Sequence, residues 1–151
     1  MKILNATEKD KKYLYEIYKE EYGERVKEII NCYLKHKHIK LVKDNKKIIG
    51  LLLWSVKEGF HHGLCEIEEL WIHEKYRRKG LGTKLLKSTI KDIKKYFIKE
   101  GYKPRKIFLF TSKENVAARK CYEKQNFKLV AEVGDLFKDN EIELMYVLDL
   151  R

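Results

Sequence analysis

The sequence is poor in the residues that mark secreted, fibrous or disordered chains. Its 151 residues include three cysteines, one proline, eight glycines and a single glutamine, Gln125. Cys32, Cys65 and Cys121 are odd in number, far apart and never in a Cys-x-x-Cys spacing. That argues against a disulfide framework and a structural zinc site, so no metal is expected. With little Pro and Gly, and with 44% hydrophobic and 12% aromatic residues, disordered and collagen-like chains are excluded. No apolar run approaches the roughly 20 residues that span a bilayer, and no membrane partner is expected. The first ten residues become charged by Glu8 and lack the apolar stretch of a secretory signal. These absences leave, as an expectation, one cytoplasmic, soluble domain over residues 1–151 with a single core.

What is abundant is charge. Thirty-four Lys and Arg against 23 Asp and Glu give a net charge of +11. The positive residues recur along the whole chain, as they would on a solvated surface. One cluster, Tyr76-Arg77-Arg78-Lys79-Gly80, stands where a specific anion site could form. Aromatic and basic residues do not interleave as in an RNA-recognition surface, so nucleic acid is not an expected partner.

Hydrophobic periodicity divides the chain into alternating elements. Lys2–Asn5 reads as a strand, and Thr7 with Asp10 as a helix start ahead of Leu14, Ile17 and Tyr18. A second helix is expected from about Glu24 to Lys35. His38–Lys43 and Lys47–Lys57 read as a hairpin around Asp44-Asn45, with Ile48–Val56 apolar enough for a central strand. Phe60 to Gly63 is a loop. In the next strand, Cys65–His73, alternation puts Glu66, Glu68, Leu70 and Ile72 on one side and Glu69 on the other, unless a bulge exchanges them. A long helix from Leu81 to Glu100 stops at Gly101; strand Lys106–Thr111, helix Asn115–Gln125 and strands Lys128–Val133 and Glu141–Leu148 complete the order β-α-α-β-β-β-α-β-α-β-β. The expected class is mixed α/β, with six to seven strands.

The segment from Leu70 to Gly82 passes from a strand through a basic loop into the long helix. Unpaired N–H groups at a helix N-terminus can seat a phosphate, and Gly80 and Gly82 let an anion approach them. The segment is not a dinucleotide fingerprint, because Gly80-Leu81-Gly82 lacks the third glycine, nor a P-loop, because Gly-Lys-Ser/Thr is absent. It is R-x-x-G-x-G, as Arg77-Arg78-Lys79-Gly80-Leu81-Gly82. After the next strand, Asn115-Val116-Ala117-Ala118 through Tyr122 to Phe127 follows the pattern N-x-x-A-x-x-x-Y-x-x-x-x-F. Together, and in this element order, the two motifs resemble the GCN5-related N-acetyltransferase (GNAT) superfamily over nearly the whole chain.

That resemblance implies a mixed sheet with helices on both faces, and acetyl-CoA as co-substrate. The pantetheine arm would lie between two splayed parallel strands, Cys65–His73 and Lys106–Thr111, along Leu70, Trp71 and Ile72. The pyrophosphate would sit on Arg77, Arg78, Lys79, Gly80, Leu81, Gly82 and Thr83, with Asn115 and Ala118 beside the arm. Tyr122 would be the general acid toward the thiolate and Glu68 the base, with Glu66 and Glu69 as alternatives. Phe110 stands where ribosomal-protein acetyltransferases of the superfamily carry a glutamate, so that branch's base is missing and a ribosomal N-terminal acceptor is less expected. The implied reaction is direct acetyl transfer to a primary amine on a small molecule or a protein; the alternative is a non-catalytic acyl-CoA-sensing module of the same fold. A homodimer fits the family habit.

Overall fold

The computed structural model describes residues 1–151. Its seven strands are β1 (Lys2–Asn5), β2 (His38–Asp44), β3 (Lys47–Lys57), β4 (Leu64–Ile72), β5 (Lys106–Ser112), β6 (Lys128–Gly134) and β7 (Ile142–Asp149). The helices are α1 (Lys11–Tyr22), α2 (Val26–His36), α3 (Leu81–Lys99) and α4 (Val116–Glu123). The strands form one sheet in the order β1-β2-β3-β4-β5-β7-β6. Every neighbouring pair is antiparallel except β4 and β5. The mixed α/β class and the element order expected from the sequence are both present.

Local chemistry explains the element ends. Asp10 accepts the Thr7 N–H at 2.9 Å while the Asp10 N–H bonds the Thr7 carbonyl at 2.9 Å, which starts the turn before α1. At the end of α3, Gly101 takes φ +83°, and Tyr102 N–H reaches back to the Phe97 carbonyl at 2.9 Å. This is the Schellman closure that the glycine after the apolar stripe predicts. Asn126, at φ +65°, closes α4 in the same way through Phe127 N–H and the Tyr122 carbonyl.

Two cores lie on the two faces of the sheet. On one, α1 and α2 bury Leu14, Tyr18, Val26 and Ile30 against Ile39, Leu41, Leu51 and Leu53. On the other, α3 and α4 bury Leu85, Leu86, Ile93, Phe97 and Tyr122 against Ile49, Leu52, Cys65, Ile107 and Tyr146. Strand β3 serves both, which is why its sequence is a continuous apolar run rather than an alternating one.

The alternation expected for β4 does not hold. Leu53 pairs with Glu69 and Trp54 with Ile67, so Glu68 is an extra residue without a cross-strand partner. This bulge exchanges faces beyond it. Leu70 and Ile72 therefore join the α3 side, following Cys65 and Ile67, while Trp71 packs on the α1–α2 side. Glu69 comes to the same face as Glu66 and Glu68, because one inserted residue shifts a period of two by half.

The parallel β4–β5 ladder is short. It runs from Leu64↔Lys106 to Ile67↔Leu109 and stops, although β4 continues to Ile72 and β5 to Ser112. Beyond that point β4 stays with β3 and β5 stays with β7, so the sheet opens between them. The closed end is pinned by Gly63, whose carbonyl accepts from Arg105 N–H at 2.7 Å and Lys106 N–H at 3.1 Å. Gly63 has φ +63°, and an added Cβ would lie 2.6 Å from the Lys103 carbonyl oxygen. Gly63→Ala should therefore lose about 1–3 kcal/mol of unfolding free energy in urea titration. Gly134→Ala, where nothing lies within 4 Å, should not lower the midpoint.

Candidate active site

The opening between β4 and β5 leads directly to the N-terminus of α3. Gly80 precedes the helix at φ +73°, and no side chain caps it. The N–H groups of Leu81, Gly82 and Thr83 lie ahead of the first intrahelical bond, which Lys84 makes to Gly80 at 3.0 Å. A 19-residue helix thus presents its positive end and three free donors beside the end of β4.

The basic loop residues divide into builders and a free cation. Arg77 donates from Nε to the Ile72 carbonyl at 2.8 Å and folds the loop onto the end of β4. Lys79 donates to the Lys75 carbonyl at 3.2 Å. Arg78, exposed at φ +59°, has no partner in the protein. Leu81 is 6% exposed and anchors the turn in the core. A Cβ on Gly82 would meet Cys121 Sγ and Ile72 Cγ1 at 3.8 Å, and Thr83 Oγ1 lies 3.6 Å from Cys121 Sγ. These contacts set α3 against α4.

Helix α4 lines the other side. Asn115 caps it, its Oδ1 accepting from Ala118 N–H at 3.2 Å, which leaves the carboxamide NH₂ unengaged. Tyr122 is 5% exposed. Its hydroxyl makes no hydrogen bond within the protein, yet no buried side-chain polar atom lacks a partner, so this oxygen keeps access to solvent. Burial, with a contribution from the Cys121 thiol, pushes the phenol pKa up. Tyr122 is thus a protonated hydroxyl at the surface of an otherwise apolar wall.

The three glutamates of β4 share a face but not an environment. Glu66 pairs with Lys57 at 2.8 Å. Glu68 is held by the Lys37 ammonium and the Ser55 hydroxyl, with Lys57 at 3.5 Å. Burial alone would raise the Glu68 pKa, but Lys37, Ser55 and Lys57 together hold it below the ordinary carboxylate value. Glu69 accepts one hydrogen bond, from the Tyr18 hydroxyl at 2.5 Å, and has no cationic partner. Burial raises its pKa; the Tyr18 bond pulls partly back, and Glu21 adds to the rise. Two adjacent carboxylates are therefore displaced in opposite directions.

Sequence reasoning did not find Lys37, Ser55, Lys57 or Tyr18, the partners that create this difference. Tyr18 read as one member of an apolar helix stripe. Nothing along the chain ties it to a glutamate 51 residues away.

The Acetyltransferase (GNAT) family model matches residues 4–127. An N-alpha-acetyltransferase from Saccharolobus solfataricus is 37% identical over 108 residues, which cover 66% of this chain and 61% of the relative's length. Among solved structures, a GNAT family acetyltransferase from Elizabethkingia anophelis with acetyl-CoA bound is similar at TM-score 0.72 and 24% identity, over 99% of this chain and 97% of the other. An aminoglycoside 6'-N-acetyltransferase from Enterococcus faecium is similar at TM-score 0.77 and 16% identity, over 100% and 98%. At these identities the structural likenesses establish the fold.

The opposed carboxylates give a pH signature in stability. Glu69 has a raised folded-state pKa, so its contribution is full below the unfolded value of about 4.3 and is lost as pH rises through the folded one. Glu68 has a lowered pKa, so its contribution is present above that value and is lost as pH falls through the folded one. In urea unfolding from pH 3 to 7, Glu69→Gln should flatten the loss on the alkaline side and Glu68→Gln the loss on the acid side. The opposite assignment would contradict the geometry.

Proposed function

Because the chain belongs to the acetyltransferase (GNAT) family, we propose that it is a single N-acetyltransferase domain that moves an acetyl group from acetyl-CoA to a primary amine. The observation that carries this reading is the ladder that ends at Ile67↔Leu109 and opens onto an uncapped helix N-terminus. The released edge of β4 offers main-chain groups from Glu69 onward to an extended amide-bearing arm, as an added strand would take them. Leu70 and Ile72 form the wall on the α3 side, and Trp71 holds the strand from the other. Gly80 to Thr83 and the free Arg78 seat the pyrophosphate. Arg77 and Lys79 shape that seat, and Leu81 anchors it. Asn115 offers its NH₂ to the arm, and the small Ala118 leaves room for it.

The acceptor amine approaches from the α1–α2 face. Glu69 takes its proton, because it is the β4 carboxylate without a cationic partner and with an elevated pKa. Glu68, the base that the family resemblance implies, instead holds Lys37, Ser55 and Lys57 together beneath α2. The amine nitrogen bonds to the acetyl carbon, the carbon–sulfur bond breaks, and Tyr122 gives its proton to the departing sulfur. A peptide α-amine fits this base best. Its pKa of about 7.7–8.0 leaves much of it neutral near pH 7.5, whereas a lysine-like amine near 10.4 is almost wholly protonated. The relative named as an N-alpha-acetyltransferase supports the same acceptor. We place the activity in the cytoplasm, where the free thiols of Cys32, Cys65 and Cys121 stay reduced.

Steady-state kinetics with peptides, polyamines and aminoglycosides test this. Tyr122→Phe and Glu69→Gln should each lower kcat by about 100-fold, with acetyl-CoA affinity unchanged, while Glu68→Gln keeps kcat within about threefold. A wild type that binds acetyl-CoA but acetylates no amine would make the chain a sensing module.

A further inference from the structure

The solvent face of α3 carries charge of one sign. Lys84, Lys87, Lys91, Lys94, Lys95 and Lys99 are all exposed, and none of their ammonium groups is in an ion pair or hydrogen bond. Asp92, the acidic residue of this helix, is taken by the half-turned-in Lys40, itself 5% exposed. The lysines repel one another at i,i+3, as Lys84–Lys87 and Lys91–Lys94, and at i,i+4, as Lys87–Lys91, Lys91–Lys95 and Lys95–Lys99. Such like-charge neighbours destabilise a helix. Elsewhere the chain places opposite signs at that spacing, as in Glu8–Lys11 and Arg25–Glu28. The sequence shows positive charge spread along the chain; the fold gathers six uncompensated lysines into one line.

The helix also stands as a ridge between two grooves. One, of about 540 Å³, runs between Lys95 and Lys99 on α3 and Lys35 and His36 on α2. The other, of about 340 Å³, runs between Lys87, Lys91 and Lys94 on α3 and the chain's last residues, where Arg151 pairs with Asp149 at 2.6 Å. The carboxylates in both grooves, Asp92 and Asp149, are neutralised by these partners.

We propose that this lysine ridge docks on B-form DNA, through the phosphate backbones on either side of the major groove. From Lys84 to Lys99 the ridge is about 22 Å long at 1.5 Å per residue. A helix with side chains is about 10–12 Å across, the width of the B-form major groove at about 12 Å. With the ridge in the groove, each strand lies toward one of the flanking basic grooves. A-form RNA has a deep, narrow major groove that excludes such a ridge. The helix contains no Arg, Asn or Gln for bidentate reading of base edges, and its lysines act here as point charges on phosphates, so the proposed recognition is of charge and shape, independent of sequence.

The test is fluorescence anisotropy of a labelled 20-base-pair random-sequence DNA duplex, and of the same sequence as RNA, between 50 and 200 mM salt. DNA binding should be saturable at 50 mM and fall steeply with salt. The triple variant Lys87→Gln/Lys91→Gln/Lys95→Gln should weaken it at least tenfold and reduce the log–log salt slope by about 2.7, at 0.9 per lost phosphate contact. The control Lys12→Gln/Lys19→Gln/Lys27→Gln removes the same charge from exposed positions on α1 and α2 and should leave both unchanged. Thermal melts and acetyl-CoA titrations confirm that both variants are folded. Absence of DNA binding at 50 mM, equal loss in both triples, or RNA binding as tight as DNA would each overturn the proposal.

Discussion

A parallel pair of strands that parts after four residue pairs is the constraint on which the rest of this structure depends. Buried backbone N–H and C=O groups must be paired, and a strand leaving its neighbour inside a sheet exposes a row of them. Here the exposure is confined and directed. Gly63 ties the closed end, β3 and β7 retain the two separated strands, and the opening faces the positive end of the longest helix. The break in the ladder supplies a row of main-chain partners and the helix supplies an anion seat at the end of that row. A molecule with an amide-bearing arm and a pyrophosphate satisfies both at once.

The bulge at Glu68 is the second half of the same arrangement. It moves the end of β4 out of step, turns Leu70 and Ile72 to the α3 face and gathers three carboxylates on the other. Three such groups would repel one another if all were bare. Lys57 and Lys37 neutralise two, and the tyrosine hydroxyl of α1 engages the third. Glu69 is thereby left as the one carboxylate of the three without a cationic partner. Tyr122 belongs to the core of the opposite face, so the sheet itself lies between its hydroxyl and the three glutamates.

Much of this was legible in the sequence, and the remainder was hidden for physical reasons. The basic loop with Gly80 and Gly82, and the pattern from Asn115 to Phe127, lie in contiguous segments whose local geometry depends on their own residues. The unbroken apolar run of β3 likewise announced a strand buried on both faces. The bulge left a fainter trace: Glu69 interrupts the alternation of Cys65-Glu66-Ile67-Glu68 with a second polar residue, and only pairing with β3 shows which residue is extra. The contacts of Glu68 and Glu69 reach 31 and 51 residues back along the chain. No local pattern records such pairings, so the choice of base could not be made from spacing. The lysines of α3 were visible one by one, but their shared face and flanking grooves depend on how the helix packs.

The central claim is that the break in the β4–β5 ladder and the bare N-terminus of α3 form one cofactor seat. Calorimetric titration with acetyl-CoA tests it most directly, on the wild type and on Gly80→Glu/Gly82→Glu, which sets carboxylates against the free N–H groups. The account predicts near-stoichiometric binding by the wild type and its loss in the folded double variant. A wild type that binds neither acetyl-CoA nor CoA, or a variant that binds as tightly as the wild type, would contradict it.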